Sequence, residues 1–360
     1  SLPENEEGFY FPKIDYRSCI NCSFCDKTCP VLNRSTPKAM KKAWYGWAND
    51  DKLRKNSSSG GIFGVIAENI LQEEGVVYGA SFHYGDYVRL ECHSTNDVSL
   101  EELLKSKYVQ SHVGKAYSDI KTDLEAGRKV LFCGTPCQAD AMCHFLKKKF
   151  QNLLIADFVC HGVPSMALLR EHLSMLRINN VENIDFRPKN RNWVDDIVIK
   201  HDGGKVYLNY WGNDANFRSF EKAGSLRRSC YNCAYCNGCR VADITLADFW
   251  GYRNYDPAIY DPRGISLVLA NTDKGIEVVE KLLQKDNCSL TQIDTQYAEY
   301  AYSRKRNGDN GYEIEKRNAF FKDVNELGYT AAITKYCPIP KDSFYKRIRK
   351  RVGGLIRKFK

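Results

Sequence analysis

The sequence contains no hydrophobic run long enough to cross a membrane. Its longest apolar stretches are residues 62–67 and 153–160, whereas a membrane-spanning helix needs about 20 apolar residues. Residues 1–8 are polar and acidic, so a secretory signal with a basic start and an apolar centre is not predicted. These absences predict a cytoplasmic protein.

Two nucleotide-binding motifs are also absent. The chain has neither G-x-G-x-x-G nor G-x4-G-K-[ST], so the sequence gives no support for a Rossmann NAD site or a P-loop. Its positive charge is concentrated in one place. Residues 344–360 carry eight Lys/Arg and no acid, which leaves only +1 of the net charge of +9 for the rest of the chain. This distribution does not indicate a nucleic-acid-binding domain.

What the chain does have is cysteine, with 15 such residues. A disulfide scaffold is usually a short secreted domain, and here the cysteines are clustered instead. Cys19, Cys22, Cys25 and Cys29 have the spacing C-x2-C-x2-C-x3-C-P. This is the ligand run of bacterial ferredoxins for a [4Fe–4S] cluster. A structural zinc site is the alternative, but it usually takes two cysteine pairs from separate loops.

A second cysteine run lies roughly 200 residues later, with the spacing C-x2-C-x2-C-x2-C at Cys230, Cys233, Cys236 and Cys239. The same reasoning predicts an iron–sulfur site, and zinc or redox-active thiols are the alternatives. Two such runs in one chain indicate a protein that transfers electrons.

A stretch of small residues, Ser57-Ser58-Ser59-Gly60-Gly61, precedes a segment whose apolar residues have helical spacing. The serines are predicted to be helix N-caps. Free N–H groups at such a turn, together with the helix dipole, suit an anion. A well-capped core helix without a ligand is the alternative.

Two strand–loop–helix units follow between residues 129 and 176. This alternation predicts a mainly parallel α/β sheet, in which ligands bind at the carboxyl ends of the strands. The loops at these ends are predicted to bind a cofactor, and they contain Gly134, Thr135, Pro136, Cys137, Gln138, His161 and Gly162.

Three further segments carry weaker predictions. Residues 8–15 alternate in hydrophobicity and predict a strand before the first cysteine run, and residues 195–200 and 205–210 predict a hairpin. The apolar residues of the basic tail share one helical stripe. This pattern is typical of a helix on a membrane surface or an acidic partner, and a solvated, unfolded tail is the alternative.

Together these motifs resemble the coenzyme F420 hydrogenase/dehydrogenase beta-subunit family. The resemblance covers roughly residues 8–275, and the matching motifs occur in the order of the family. They are the first cysteine run, Ser57–Gly61, residues 131–138, residues 160–165, Arg187-Pro188-Lys189 with Trp193, residues 229–233, residues 243–245 and residues 248–251.

The resemblance implies an iron–sulfur flavoprotein. An N-terminal ferredoxin-like module, residues 1–42, would be joined to a mixed α/β FAD-binding domain, residues 43–330, followed by the tail 331–360. FAD would lie against the Ser/Gly stretch, the two loops and Lys189. His161 would face the flavin as a donor, and Lys189 would neutralise a phosphate or a reduced flavin. A solvated basic loop around Lys189 and a Cys137–His161 nucleophile pair are the alternatives.

The number of clusters is open at this point. Relatives often have only the first two cysteines of the later run, whereas this chain adds Cys236 and Cys239. One possibility is two clusters with exchanged fourth ligands, in which Cys29 joins the later run and a later cysteine completes the first. The other is one cluster on the first run alone.

The expected function is electron transfer between the clusters, FAD and either a substrate or a carrier like coenzyme F420. Because an NAD motif is absent, a ferredoxin or a deazaflavin is the expected electron partner. Bacterial relatives are commonly associated with polysaccharide biosynthesis. Two alternatives are an electron-transfer subunit of a larger complex, without its own substrate, and a sugar-modifying or assembly protein with structural clusters.

Overall fold

The structure, a computed structural model, describes residues 1–339 with few exceptions. These are Pro37, Asp86, Arg191, Asp195, Asn237, Cys239, Tyr300 and residues 302–313, and only the backbone of Ala223 is described. Cys239 of the second run and the predicted tail from residue 340 onwards therefore lie outside the described residues.

The described chain contains both strands and helices. The strands are β1 Lys42–Ala48, β2 Val76–Tyr84, β3 Val88–Ser94, β4 Val130–Gly134, β5 Leu153–Phe158, β6 Val181–Asp185, β7 Asp196–His201, β8 Lys205–Tyr210, β9 Ile244–Asp248, β10 Ser266–Ala270 and β11 Cys288–Ile293. The helices are α1 Phe24–Thr28, α2 Asp51–Lys55, α3 Ile62–Gln72, α4 Leu100–Leu103, α5 Ala116–Glu125, α6 Pro136–Leu146, α7 Met166–Met175, α8 Ala215–Arg218, α9 Tyr252–Tyr255, α10 Asp273–Gln284, α11 Gln296–Glu299, α12 Ile314–Leu327 and α13 Tyr329–Tyr336.

Eight strands form one large mixed sheet in the order β11-β1-β10-β9-β5-β4-β2-β3. The central strands β9, β5, β4 and β2 are parallel neighbours, whereas the pairs on both flanks are antiparallel. The α/β architecture is confirmed, but the prediction of a mainly parallel sheet is wrong. Strand β1 pairs with β10 and β11, more than 200 residues away, and such distant pairing has no local signal in a sequence.

Helices cover both faces of the centre of this sheet. Leu131 and Leu154 pack under α3 and α10, whereas the residues before them, Val130 and Leu153, pack under α5 and α6. Strands buried on both faces are continuously apolar, which explains why β4 and β5 have no polar alternation. The loops that follow β4, β5 and β9 emerge at one edge, between the two helix layers.

A smaller antiparallel sheet, β6-β7-β8, packs against α7. The inward residues of β7, Ile197 and Ile199, are fully buried there. The β7–β8 turn uses Gly203 and Gly204 at φ of 72° and 98°, a backbone region that glycine adopts without strain. The predicted hairpin is therefore confirmed.

The N-terminal segment has little regular structure before α1. The predicted strand at residues 8–15 is wrong, because only an isolated pairing of Glu4 with Tyr10 forms there. Phe9 is instead fully buried against Phe321 of α12, with ring centroids 5.9 Å apart. The alternating pattern of this segment thus arises because Phe9 packs against a helix, not because the segment forms one face of a sheet.

Helices α12 and α13 pack on each other and hold Phe9 in place. Arg317 of α12 is buried, pairs with Glu7, and donates from Nε to the carbonyl of Leu226 at 3.0 Å. The predicted boundary of the tail, residue 331, falls inside α13. Among the described residues no helix is both long and apolar enough to span a membrane.

Candidate functional site

The loops after β4 and β5 lie side by side at the carboxyl edge of the sheet, because these strands are parallel and in register from Val130 with Leu153 to Gly134 with Asp157. Thr135 caps helix α6 in a capping box with Gln138, and Pro136 occupies the first helical turn. The structure thus brings the predicted residues of the Gly134–Gln138 loop and those of the His161–Gly162 loop to one place.

Four thiols converge at this edge. Cys137 begins α6, Cys160 follows β5, and Cys230 and Cys233 come from the second cysteine run. The pKa of Cys230 is raised to about 12, mainly by burial and also by the nearby thiols of the other three cysteines. Backbone N–H groups point at two of the sulfurs, from Gly162 to Cys160 at 3.4 Å and from Val163 to Cys230.

Cys137 has a special position in this group. Its side chain keeps accessible surface although protein atoms surround it closely enough that burial raises its pKa. The thiol therefore lies in a recess. Its Sγ is 3.2 Å from the hydroxyl of Thr135. A raised pKa disfavours the thiolate that nucleophilic catalysis needs, so these surroundings argue against the Cys137–His161 nucleophile pair.

The remaining predicted ligands are more open. Cys22 and Cys25 are exposed, and Cys19 and Cys29 are partly buried beside α1. Cys236 is exposed, and its thiol donates to the carbonyl of Cys233 at 3.0 Å. Within the described part of the chain, no three His, Cys, Asp or Glu side chains are close enough to share a single metal ion.

A cluster of cations lies on the same edge, on the β9 side. Arg187 Nη1 is 2.9 Å from Oδ2 of Asp248, the last residue of β9. Lys189 Nζ donates to the carbonyls of Arg54 and Ser59, both at 2.5 Å. Lys107 Nζ donates to the carbonyl of Leu104 at 2.5 Å. Sequence reasoning identified Lys189 but missed Lys107 and the pairing of Arg187 with Asp248.

Burial weakens the charge of two of these cations. The pKa of Lys107 is lowered to about 7 by burial. The pKa of Lys189 is also lowered to about 7, first by burial and then by the positive charges of Arg54 and Arg187. Three buried polar atoms here have no hydrogen-bond partner: Arg187 Nη2, Arg54 Nε and Ser57 Oγ. Such orphaned donors are rare in proteins, and a bound anion would satisfy them.

The Ser57–Gly61 stretch does not cap helix α3 with its serines. Gly61 is the N-cap at φ 90°, without a side-chain hydrogen bond, so the prediction of serine caps is wrong. Ser58 Oγ instead meets Ser106 Oγ at 2.8 Å, and Ser59 Oγ donates to the carbonyl of Ile265 at 2.7 Å. The hydroxyls fasten the stretch to its neighbours, and the first N–H groups of a helix such as α3 attract an anion.

The approach of this stretch to β10 depends on Gly264. This residue has φ 99°, and an added Cβ would lie 2.3 Å from the carbonyl oxygen of Ser59. Gly204 has almost the same φ, 98°, but nothing within 4 Å of an added Cβ. Substitution of Gly204 would therefore cause backbone strain alone, whereas substitution of Gly264 would cause backbone strain and a steric conflict with Ser59.

We expect Gly264→Ala to destabilise the protein by roughly 2–4 kcal/mol more than Gly204→Ala does. Backbone strain costs about 1–3 kcal/mol at either position, and only the first variant must also move Ser59. Urea unfolding of both variants against the unchanged chain measures the difference. If both variants lose the same free energy of unfolding, Ser59 moves away from the added Cβ at no cost in stability.

Two cavities lie away from the edge. One, of about 420 Å³, lies between the N-terminal segment and α12, and the other, of about 250 Å³, lies at the opposite edge between α3 and α10. Neither is lined by a residue that the sequence predicted for a site.

Most residues of this edge lie in a part of the chain that is similar to known proteins. Residues 127–296 match the family model for the C terminus of the beta subunit in coenzyme F420 hydrogenase/dehydrogenase. The match spans β4 to β11 and includes the four thiols, Arg187, Lys189 and Asp248, but neither the first cysteine run nor Ser57–Gly61. The resemblance predicted from the motifs is confirmed over this range.

One similar solved structure is the F420-reducing [NiFe] hydrogenase complex from Methanosarcina barkeri, studied by xenon derivatization. A chain of that complex is 15% identical, with a TM-score of 0.49; the match covers 81% of this chain and 93% of that chain. Among curated proteins, none matches this chain. The match over residues 127–296 therefore favours an oxidoreductase or electron-transfer subunit of the F420 hydrogenase/dehydrogenase kind.

Proposed function

We propose that the chain is an iron–sulfur flavoprotein that passes electrons between [4Fe–4S] clusters, FAD and a substrate or an F420-like carrier. One observation carries the proposal. At the carboxyl edge of a single sheet, four converging thiols adjoin a group of buried cations with unsatisfied donors. A redox centre and an anionic organic cofactor would thus be neighbours.

The donor set fits an iron–sulfur cluster better than a single ion. A zinc ion draws its sulfur ligands to about 2.3 Å from one point, whereas a cubane keeps four sulfurs further apart. Cys137, Cys160, Cys230 and Cys233 are close enough to affect one another's charge but too spread out to share one ion. N–H groups aimed at sulfur, such as that of Gly162, are among the contacts that tune such clusters.

This ligand set differs from the one that the spacing of the second run predicted. It takes Cys137 and Cys160 in place of Cys236 and Cys239. The first run keeps its role as the ligand set of a ferredoxin-type cluster, on its spacing alone. Its exposed cysteines, Cys22 and Cys25, suit the entry of electrons from a ferredoxin or a similar carrier.

The cation side of the edge fits FAD. The pyrophosphate of the cofactor would lie against the first N–H groups of α3 and Ser57 Oγ, because a helix N-terminus attracts an anion. Lys189 and Arg187 would face its remaining polar groups. When bound, a flavin exchanges electrons singly or in pairs. The protein's part is to orient it, exclude water and hold a proton on Lys107 or Lys189 near neutral pH.

The proposal is tested by purifying the full chain without oxygen and counting iron, acid-labile sulfide and flavin. Two clusters would give about eight irons per chain, together with about one FAD. A chain with neither flavin absorbance nor labile sulfide would overturn the proposal. Reduction by a ferredoxin or by reduced F420, followed by turnover of a small substrate, would distinguish an enzyme from a subunit that only relays electrons.

Lys189 should control how the affinity for FAD depends on pH. With a pKa of about 7, Lys189 is charged below this pH and neutral above it, so the affinity should fall as pH rises from 6 to 8. We expect Lys189→Met to bind FAD about tenfold more weakly at pH 6 and to depend less on pH, since a charged hydrogen bond contributes roughly 1.5–3 kcal/mol. Flavin fluorescence titration measures both effects.

Lys205→Met is the control for this experiment. Lys205 is exposed on β8, so its loss removes one charge far from the cation group and should leave the affinity unchanged. If both variants bind FAD as the unchanged chain does at both pH values, Lys189 does not contact the cofactor.

A further inference from the structure

Arg227 lies in the turn that leads into the second cysteine run. Its carbonyl accepts the N–H of Cys230 at 2.9 Å, and its own N–H donates to the carbonyl of Val163 at 3.0 Å. Val163 belongs to the loop that carries Cys160. The backbone of Arg227 is therefore fixed between two of the loops that supply the converging thiols.

The side chain of Arg227 extends toward the segment before the first cysteine run. Its Nη1 donates to the carbonyl of Tyr10 at 2.5 Å, and the guanidinium lies 4.1 Å from the ring centroid of Phe11. A guanidinium over an aromatic ring gains a cation–π contact while its long stem stays packed. The position of the charge is thus fixed by the backbone contacts of Arg227 and by the contacts of its guanidinium with Tyr10 and Phe11.

The charge of Arg227 has an unusual environment. No carboxylate within the described residues forms an ion pair with it. Burial lowers its pKa, and the groups that oppose this effect are the thiols of Cys230 and Cys137. A half-buried cation beside these sulfurs acts on any negative charge they carry more strongly than a surface residue would, because the surrounding dielectric is low.

We propose that Arg227 raises the reduction potential of a cluster held by Cys137, Cys160, Cys230 and Cys233. This inference rests on the iron–sulfur site of the proposed function. When such a cluster accepts one electron from a carrier, its negative charge increases by one, and no bond to Arg227 forms or breaks. The fixed positive charge stabilises the reduced form more than the oxidised form. Arg227 acts through the cluster, so it is a positioning and tuning residue rather than a catalytic one.

The experiment is an anaerobic redox titration of the full chain, followed by electron paramagnetic resonance, with dithionite as the reductant. Arg227→Gln removes the charge and keeps an amide that can donate to Tyr10. We expect its cluster to be reduced at least tenfold less readily, a downward shift of 59 mV or more for a one-electron centre. Arg227→Lys keeps the charge and should restore most of the potential.

Arg228→Gln is the matched control. Arg228 is the next residue, carries the same charge and is exposed, so solvent screens it and its loss should shift the potential by less than half as much. A purely structural role for Arg227 predicts instead that Lys and Gln at this position behave alike.

The outcomes separate the inference from the function on which it rests. If the unchanged chain assembles no cluster, the proposed function fails. If the cluster forms but Arg227→Gln leaves its potential unchanged, or Arg227→Lys lowers the potential as much as Gln does, only the inference is overturned. It is also overturned if Arg227→Gln and Arg227→Met both fail to assemble a cluster while Arg228→Gln succeeds, because Arg227 would then be needed for structure.

Discussion

Cys160→Ser should remove about half of the iron from the anaerobically purified protein. In the proposed ligand set, Cys160 is one of four thiols around one cluster, and each [4Fe–4S] cluster needs all four of its cysteines. We expect iron to fall from about eight to about four per chain and electron transfer to the flavin to fall by at least about a hundredfold. Iron and sulfide analysis with flavin-reduction kinetics measures both.

Two companion variants decide between the ligand sets. Cys236→Ser should keep all of its iron, since Cys236 is exposed and its thiol turns to the carbonyl of Cys233. Cys133→Ser tests the substitution itself, because Cys133 is half-buried on β4 but does not belong to the converging thiols. Loss of iron in Cys236→Ser together with full iron in Cys160→Ser would restore the ligand set that the spacing of the second run predicts.

Arg187→Met should cost the protein roughly 3–5 kcal/mol of folding free energy. Arg187 and Asp248 are both largely buried and 2.9 Å apart, and removal of one partner leaves the other charge buried and unpaired. The loss of Nη2, which no protein atom satisfies, should also leave the purified protein without FAD. Urea unfolding and the flavin absorbance of the purified protein measure these effects.

The comparison for this variant is Arg263→Met. Arg263 pairs with Asp261 at 2.8 Å and with Asp51 at 3.0 Å, but its side chain is 57% exposed, so its loss should cost at most about 1 kcal/mol. The double variant Arg187→Met/Asp248→Asn should recover part of the stability but no flavin. A loss below 1 kcal/mol for Arg187→Met would show that Asp248 is protonated or hydrated without its partner.

The sequence identified most of the elements, because their signals are local. The apolar runs of β4 and β5 and the turn at Gly203-Gly204 each occur within a few residues. The flanks of the sheet could not be predicted, since they depend on contacts across the chain. The pattern around Phe9 predicts a strand, because a local pattern does not show that a helix over 300 residues later covers this side chain.

The candidate site was predicted in outline and missed in detail. Its two loops were identified because α/β sheets place ligands at the carboxyl ends of their strands. Cys160 lies in one of the motifs that carry the family resemblance, yet the even spacing of the second run predicts Cys236 and Cys239 as ligands. Lys107 had no signal, because Ser106-Lys107-Tyr108 is an ordinary loop triplet. In the fold, the neighbouring Ser106 contacts Ser58 of the Ser57–Gly61 stretch.

Helix α6 extends from the converging thiols to α1, which lies in the first cysteine run. Cys137 stands at its start, and Phe145 near its other end touches Phe24 of α1, with ring centroids 5.5 Å apart. At about 1.5 Å per residue, the eight-residue interval spans about 12 Å. If the proposed clusters form, the distance between them would therefore depend on the length of a helix, and an added turn in α6 would widen this distance and slow electron transfer between them.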